Sequence, residues 1–349
     1  MTVLQALQSG DMPAIKAAIK QDPASAKIPR MMLTAAGRAD LPAVQLLHKH
    51  GADLNRVWRN YRPIHNLMQT EPHAAAGKPS ADRVVCLEWL LALGADPELT
   101  GAWPSARALI IAAFVGEPAF VKVLRAAGAR IDGFTGAALG DAKLVAKTLA
   151  KHPDFASERD SGVLTALQCA AGSRLPKVDV IDVATLLLDA GADPNAQTRS
   201  WASTVDATYF ASGANNSAMF ELLLERAADP TVAVGHAVWG KKFDLADRAL
   251  FHGADLDRAT ANGKPLLNDL IRWGQIPQTT WMLAHGASPD MPDKDGWTAA
   301  HQAASRGNAR LLKAVIDAGA DLQRRDKSGS TPLDVACRAK REKLVAMLA

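Results

Sequence analysis

The stretch Asp295-Gly-Trp-Thr-Ala-Ala-His-Gln-Ala-Ala-Ser-Arg-Gly307, followed by an apolar segment and then Asp317-Ala-Gly-Ala-Asp-Leu322, decides the fold. Its ending recurs as LLHKHGADLN (46–55), LLALGADPE (90–98), LLDAGADPN (187–195), ALFHGADLD (249–257), MLAHGASPD (282–290) and VIDAGADLQ (315–323). Self-similarity at a period of about 33 residues marks stacked helix pairs, each burying its apolar face only against its neighbours. The glycine in each copy stands where a chain leaves a helix with φ > 0, a conformation in which a Cβ costs energy.

These residues resemble the ankyrin repeat. Its signature Thr-Pro-Leu-His-x-Ala-Ala-x-x-Gly stands here as Thr298-Ala-Ala-His-Gln-Ala-Ala-Ser-Arg-Gly307, with Arg62-Pro-Ile-His65 and Thr331-Pro-Leu-Asp334 as partial copies. The resemblance implies an all-α solenoid of about ten to eleven helix-turn-helix repeats, several irregular, forming a single domain over 1–349. It further implies that projecting turns and first helices line a concave binding face. His65 and His301, at the signature histidine position, are expected to hydrogen-bond between repeats.

Irregularities in the register predict where the array departs from regularity. The turn residue falls at Gly51, Gly94, Gly128, His152, Gly191, Ala227, Gly253, Gly286 and Gly319. The long gap from Gly51 to Gly94 places an insert at 69–81, and that from His152 to Gly191 another at 172–178, both on one edge. The gap from Gly191 to Ala227 lengthens the turn into a hairpin at 195–206 carrying Trp201. The gaps ending at His152 and Gly253 are too short for a turn plus two helices, so their hairpins should be missing. The repeats 132–159 and 232–259 are therefore degenerate, as is 1–26, where Asp11–Pro23 matches the spacing of Asp141–Pro153. A long hairpin among cut-back neighbours predicts a shaped cavity in the middle of the array.

Aromatic placement supplies the candidate binding residues. Trp58, Trp103, Trp201 and Trp297 fall in turns before a first helix, and Trp239 and Trp273 at the ends of first helices, 34 residues apart and expected to be near neighbours. Rigid aromatics with a polar handle dominate interface energetics, although irregular repeats also use tryptophan to plug gaps. Trp89 and Trp281 fall on second helices and read as packing. Arginine replaces the signature threonine at Arg30, Arg62 and Arg107; such a row would stack along the groove and meet a carboxylate or phosphate. Asp206, at that position in the long-hairpin repeat, comes with Tyr209, and Arg272 adjoins Trp273. His50, His252 and His285 precede turn glycines, where a cation suits the helix C-terminus, and imply no metal.

Composition narrows the function classes. A net charge of +4 on 349 residues, with Lys and Arg dispersed, gives no nucleic-acid footprint. The N-terminus lacks a secretory pattern, and no apolar run is long enough for a membrane span. Cys86, Cys169 and Cys337 read as thiols in a reducing, cytoplasmic setting. No Gly-x-Ser-x-Gly, Cys-x-x-Cys or His-Glu-x-x-His occurs, and neither cofactor nor metal is expected. Two readings remain open. One is a cytoplasmic binding scaffold for a protein or peptide partner. The alternative is an enzyme acting on a small aromatic or amphipathic molecule in a pocket lined by Trp201, Tyr209, Trp239 and Trp273, with Asp206, Asp269 or His65 as acid/base.

Overall fold

The computed structural model describes residues 1–69, 80–199, 204–261 and 264–349. Most of the insert 69–81, and Trp201 within the hairpin 195–206, lie outside the described residues. The chain divides into two compact units, Met1–Ser200 and Trp201–Ala349.

The first unit is a run of helix pairs: α1 (Val3–Ser9) and α2 (Met12–Gln21), α3 (Pro29–Gly37) and α4 (Leu41–Lys49), α5 (Pro63–Gln69) and α6 (Ser80–Ala92). It continues with α7 (Ala108–Val115) and α8 (Pro118–Ala126), α9 (Gly133–Leu139) and α10 (Ala142–Lys151), α11 (Ala166–Ala171) and α12 (Val180–Asp189). The second unit holds α13 (Ala207–Ala214) and α14 (Ser217–Glu225), α15 (Pro230–Trp239) and α16 (Phe243–Phe251), α17 (Leu266–Arg272) and α18 (Ile276–Ala284). It ends with α19 (Ala299–Arg306) and α20 (Ala309–Asp317), α21 (Pro332–Arg338) and α22 (Glu342–Leu348).

Burial separates the two layers. First helices meet protein on most sides: every residue of α7 from Ala108 to Phe114 is buried, as is every residue of α17 from Leu266 to Ile271. Second helices bury a narrow stripe, Phe120 and Leu124 on α8, or Leu311, Leu312 and Val315 on α20, and leave lysines and arginines outside. In the first unit α1, α3, α5, α7, α9 and α11 pack one on the next. In the second, α13 packs on α15, and α17, α19 and α21 form a continuous inner row.

The turns follow the register. Gly51, Gly94, Gly128, Gly191, Gly253, Gly286 and Gly319 all have φ between +82° and +95°. Ala227 takes φ +69° without the glycine. At His152 φ is −136°, and the chain passes into a 3-10 turn at Pro153–Ala156, as α2 passes into Pro23–Lys27. These matching exits account for the shared spacing of the two segments. The segment 172–178 lies in the connection from α11 to α12. One hairpin was not foreseen: Thr260–Ala261 pairs antiparallel with Lys264–Pro265 before α17. Among the described residues no helix is long and apolar enough to cross a membrane.

Candidate functional site

In the first unit, two of the three signature-position arginines are engaged by their own chain. Arg62 donates from Nε to the Thr100 carbonyl at 2.9 Å and from a second nitrogen to the Asn55 carbonyl. Arg107, only 2% exposed, lies 3.3 Å from Glu98 Oε2 and 2.9 Å from Asp132 Oδ1. Asp132 also caps α9, accepting from the Phe134 and Thr135 amides, and lies 3.4 Å from Arg130 Nε. Burial by itself raises the Asp132 carboxyl, but the Arg107 hydrogen bond, the Thr135 amide and the Arg107 charge outweigh it, and the net shift is downward. Arg62 and Arg107 are thus bonded within their own chain: with no threonine to cap α7, Arg107 joins the turn before α7 to Asp132, the residue that caps the next first helix, α9.

The other first-unit candidates are built into turns. Trp58 and Trp103 are half-buried. The Arg59 guanidinium lies 5.9 Å from the Trp58 ring centroid, and the Trp103 carbonyl accepts from Gln69 Nε2 at 2.9 Å. His65 is fully buried, its Nε2 3.0 Å from the Ala106 carbonyl, across to the next repeat as the signature implies. Burial is the chief cause that lowers its pKa to about 4, so it stays neutral near pH 7. The ring is packed so tightly that a Cβ on Gly101 would stand 2.9 Å from its Nδ1. His65 is thus a buried group with its Nε2 held by the Ala106 carbonyl.

In the second unit, Asp206 is the N-cap of α13. Its Oδ1 accepts from the Thr208 hydroxyl at 2.6 Å and the Thr208 amide at 2.9 Å, and lies 3.4 Å from His236 Nδ1 on α15. Burial raises this carboxyl, and His236 and Thr208 together bring it below its ordinary value. Tyr209 is 36% exposed and meets the His236 ring edge-on at 5.4 Å. Asp269, fully buried on α17, lies 3.6 Å from Arg272 Nη1. Both carboxylates are committed to internal structure. Trp239 closes α15 half-buried. Trp273, immediately after α17, is 56% exposed, and its ring contact is the Arg272 guanidinium at 5.5 Å rather than Trp239.

Two open cavities lie in this unit, meeting at Ser305. One, of about 360 Å³, is lined by Arg272, Trp273, Gln302, Ser305, Arg306 and Arg341. The other, of about 650 Å³, includes Trp297, Asp295, Asp326, Lys327 and Arg338. In the larger one Trp297 Nε1 donates to Asp326 Oδ2 at 3.1 Å. Hydrogen bonds from the Ser328 hydroxyl and the Ser328 and Ser330 amides hold the Asp326 carboxyl at about 2. Both cavities are therefore formed along α17, α19 and α21 and the turns between them. Of the sequence candidates among the described residues, Arg272 and Trp273 are brought together in the smaller of these two cavities. Arg306 and Arg341 were missed. A signal existed: Arg306 directly precedes the glycine ending its helix, and Arg272 stands two before Gly274, at repeat spacing.

The outer helices carry a different set. Trp281 is 9% exposed, stacked on His285 at 4.2 Å and on Phe243 at 5.9 Å. It packs α18 onto α16, as its place on a second helix predicted.

Comparison with known proteins gives two family matches. Residues 267–349 match the model described as ankyrin repeats (3 copies), and residues 164–199 match the model described as ankyrin repeat. Similar stretches occur in an ankyrin repeat-containing protein of Schizosaccharomyces pombe, 43% identical over 53 residues, which are 15% of this chain and 26% of that protein. Protein phosphatase 1 regulatory subunit 27 of Mus musculus is 37% identical over 94 residues, 27% of this chain and 55% of its own. A putative ankyrin repeat-containing protein of Treponema pallidum is 30% identical over 106 residues, 30% of this chain and 36% of its own. At most the chain spans little more than half of any of these relatives. The first family match, from residue 267 onward, covers all but the first residue of the inner row α17, α19 and α21 on which the two cavities lie.

Proposed function

Because this chain is an ankyrin-repeat protein, a class that generally mediates protein–protein interaction, we propose that it acts as a scaffold recognising a protein or peptide partner along the inner row of its second unit. The observation that carries this reading is Trp273. An indole more than half in water, at the lip of a cavity and directly after a helix whose residues Leu266 to Ile271 are buried, costs free energy that contact with a partner would recover. The resemblance to a subunit named as a regulator of a phosphatase supports a role exerted through another protein. A reducing cytoplasm suits the buried thiols of Cys86 and Cys169, and we place the protein there. The enzyme alternative loses support: His65 is buried and neutral, and Asp206 and Asp269 serve as a cap and a buried ion-pair partner.

The test is site-specific photo-crosslinking. A photoreactive residue is placed at position 273 or 305 on the inner row, or at 310 or 313 on the outward side of α20, and crosslinked to an isolated partner. The expected outcome is efficient crosslinking from the first two positions and little from the others. Crosslinks arising chiefly from 310 and 313 would overturn the assignment.

A further inference from the structure

Arg306 and Arg341 stand in a row that the fold builds one repeat at a time. Gly274 and Gly307 end α17 and α19 with φ of +73° and +78°. The guanidinium of the following repeat lies over each: a Cβ on Gly274 would stand 3.3 Å from Arg306 Nη2, and one on Gly307 would stand 2.7 Å from Arg341 Nε. These glycines thus serve two ends, a left-handed exit from the helix and a flat seat for the next arginine. Arg306 and Arg341 are both exposed, and among the described residues neither is paired with a carboxylate. Arg272 adds a third guanidinium, held 5.5 Å from the Trp273 ring centroid. Gln302 and Ser305 add neutral hydrogen-bonding groups, and no carboxylate lines this cavity.

We propose that this cavity docks an extended acidic peptide segment, its Asp or Glu side chains seated on Arg306 and Arg341 and an apolar side chain on Trp273. This inference rests on the inner-row recognition reading and adds the chemistry of the ligand. Charge complementarity chooses the occupant: exposed guanidinium forks match carboxylates in bidentate geometry. Spacing adds register. Neighbouring packed helices stand roughly 8–10 Å apart, and a peptide in the extended polyproline II form advances about 3.1 Å per residue with three residues per turn, so that positions three apart share one face roughly 9 Å apart. Carboxylates three residues apart therefore meet successive arginines. The fitting sequence is an apolar residue followed by acidic residues at intervals of three.

The test uses the full-length protein and fluorescein-labelled dodecapeptides, with binding read by fluorescence anisotropy at low and high salt. One peptide carries a tryptophan and then glutamates at every third position. The others have the same composition with glutamates adjacent, glutamine in place of glutamate, or lysine in place of glutamate. The spaced acidic peptide should bind at least tenfold tighter than the glutamine and lysine peptides, and measurably tighter than the clustered one. Raising the salt should weaken it. Arg306→Glu with Arg341→Glu should reduce its affinity more than tenfold, Trp273→Ala several-fold, and the double Arg→Lys variant by an intermediate amount because the fork is lost. Circular dichroism melts verify that each variant is folded.

Equal binding of all peptides, or indifference to the double charge reversal, overturns the proposal. So does tighter binding of inositol hexakisphosphate with no dependence on Trp273, which would mark a simple polyanion site. Tight binding of the glutamine peptide that Trp273→Ala abolishes would leave inner-row recognition standing and refute its acidic chemistry. Failure of every peptide, together with outer-face crosslinking of a protein partner, would remove both.

Discussion

Replacing Arg107 by methionine tests how the first unit is held together. Arg107 is buried to 2% exposure between Glu98 and Asp132, whose side chains are 36% and 29% exposed. Removing one partner of a fully buried pair costs about 3–5 kcal/mol, whereas an exposed pair contributes about 0–1 kcal/mol. The carboxylates here are partly solvated, and methionine keeps most of the stem packing, so the expected loss is about 2–3 kcal/mol. For a unit of this size that corresponds to a melting temperature lower by about 5–10 °C. Thermal and urea unfolding followed by far-UV circular dichroism measure the loss, and hydrogen exchange at the Phe134 and Thr135 amides locates it. A pH signature accompanies it. The Asp132 carboxyl lies below its ordinary value, so its contribution is fully present above the unfolded carboxylate range and disappears as pH falls through the lowered value. Much of that acid dependence should vanish in Arg107→Met. A variant within about 0.5 kcal/mol of the parent, the usual scatter of a neutral surface change, would refute the tie, as would an unaltered acid limb.

His65 titrates in the opposite sense to a salt-bridged histidine. Its pKa is lowered to about 4, so the unfolded chain takes up the proton first, and stability should decline as pH falls from about 6.5 towards 4, by on the order of 3 kcal/mol. Urea midpoints of the parent and His65→Asn at pH 7 and pH 4.5 test this, and parallel behaviour of the two proteins would refute it. Ala227 holds φ +69° without a glycine, a conformation costing about 1 kcal/mol. After the added backbone entropy of glycine in the unfolded chain, Ala227→Gly should stabilise by about 0.5 kcal/mol; a lower melting temperature would show that the turn is not strained.

The fold was legible because its determinants are local. A glycine before alanine fixes the turn, and the apolar period of each helix fixes which of its faces is buried, without reference to distant residues. The unforeseen hairpin at 260–265 did carry a sequence signal: Asn262-Gly263, the dipeptide most typical of a two-residue hairpin turn, stands between the paired residues in the sequence. Site geometry was less legible, because side-chain direction depends on neighbouring repeats. Arg107 looked available as a replacement for a capping threonine. Its direction is set by Asp132, 25 residues on, which the signature does not mark. Conversely, Arg306 looks like an ordinary solvated residue at a helix end, and only its stacking over Gly274 reveals a row. Trp273 is more than half exposed at the end of its first helix, and Trp281 is buried on its second helix. Their contrast gives the account its decisive experiment.

That experiment measures partner affinity and folded fraction together in Trp273→Ala and Trp281→Ala. Trp273→Ala should leave the melting temperature nearly unchanged and weaken binding by about 2 kcal/mol, roughly thirtyfold, as loss of a hot-spot aromatic does. Trp281→Ala should cost about 3–5 kcal/mol of folding free energy, while molecules that remain folded bind with the parent affinity. Unchanged binding in a folded Trp273→Ala protein would contradict recognition along the inner row, and so would equal destabilisation of both variants.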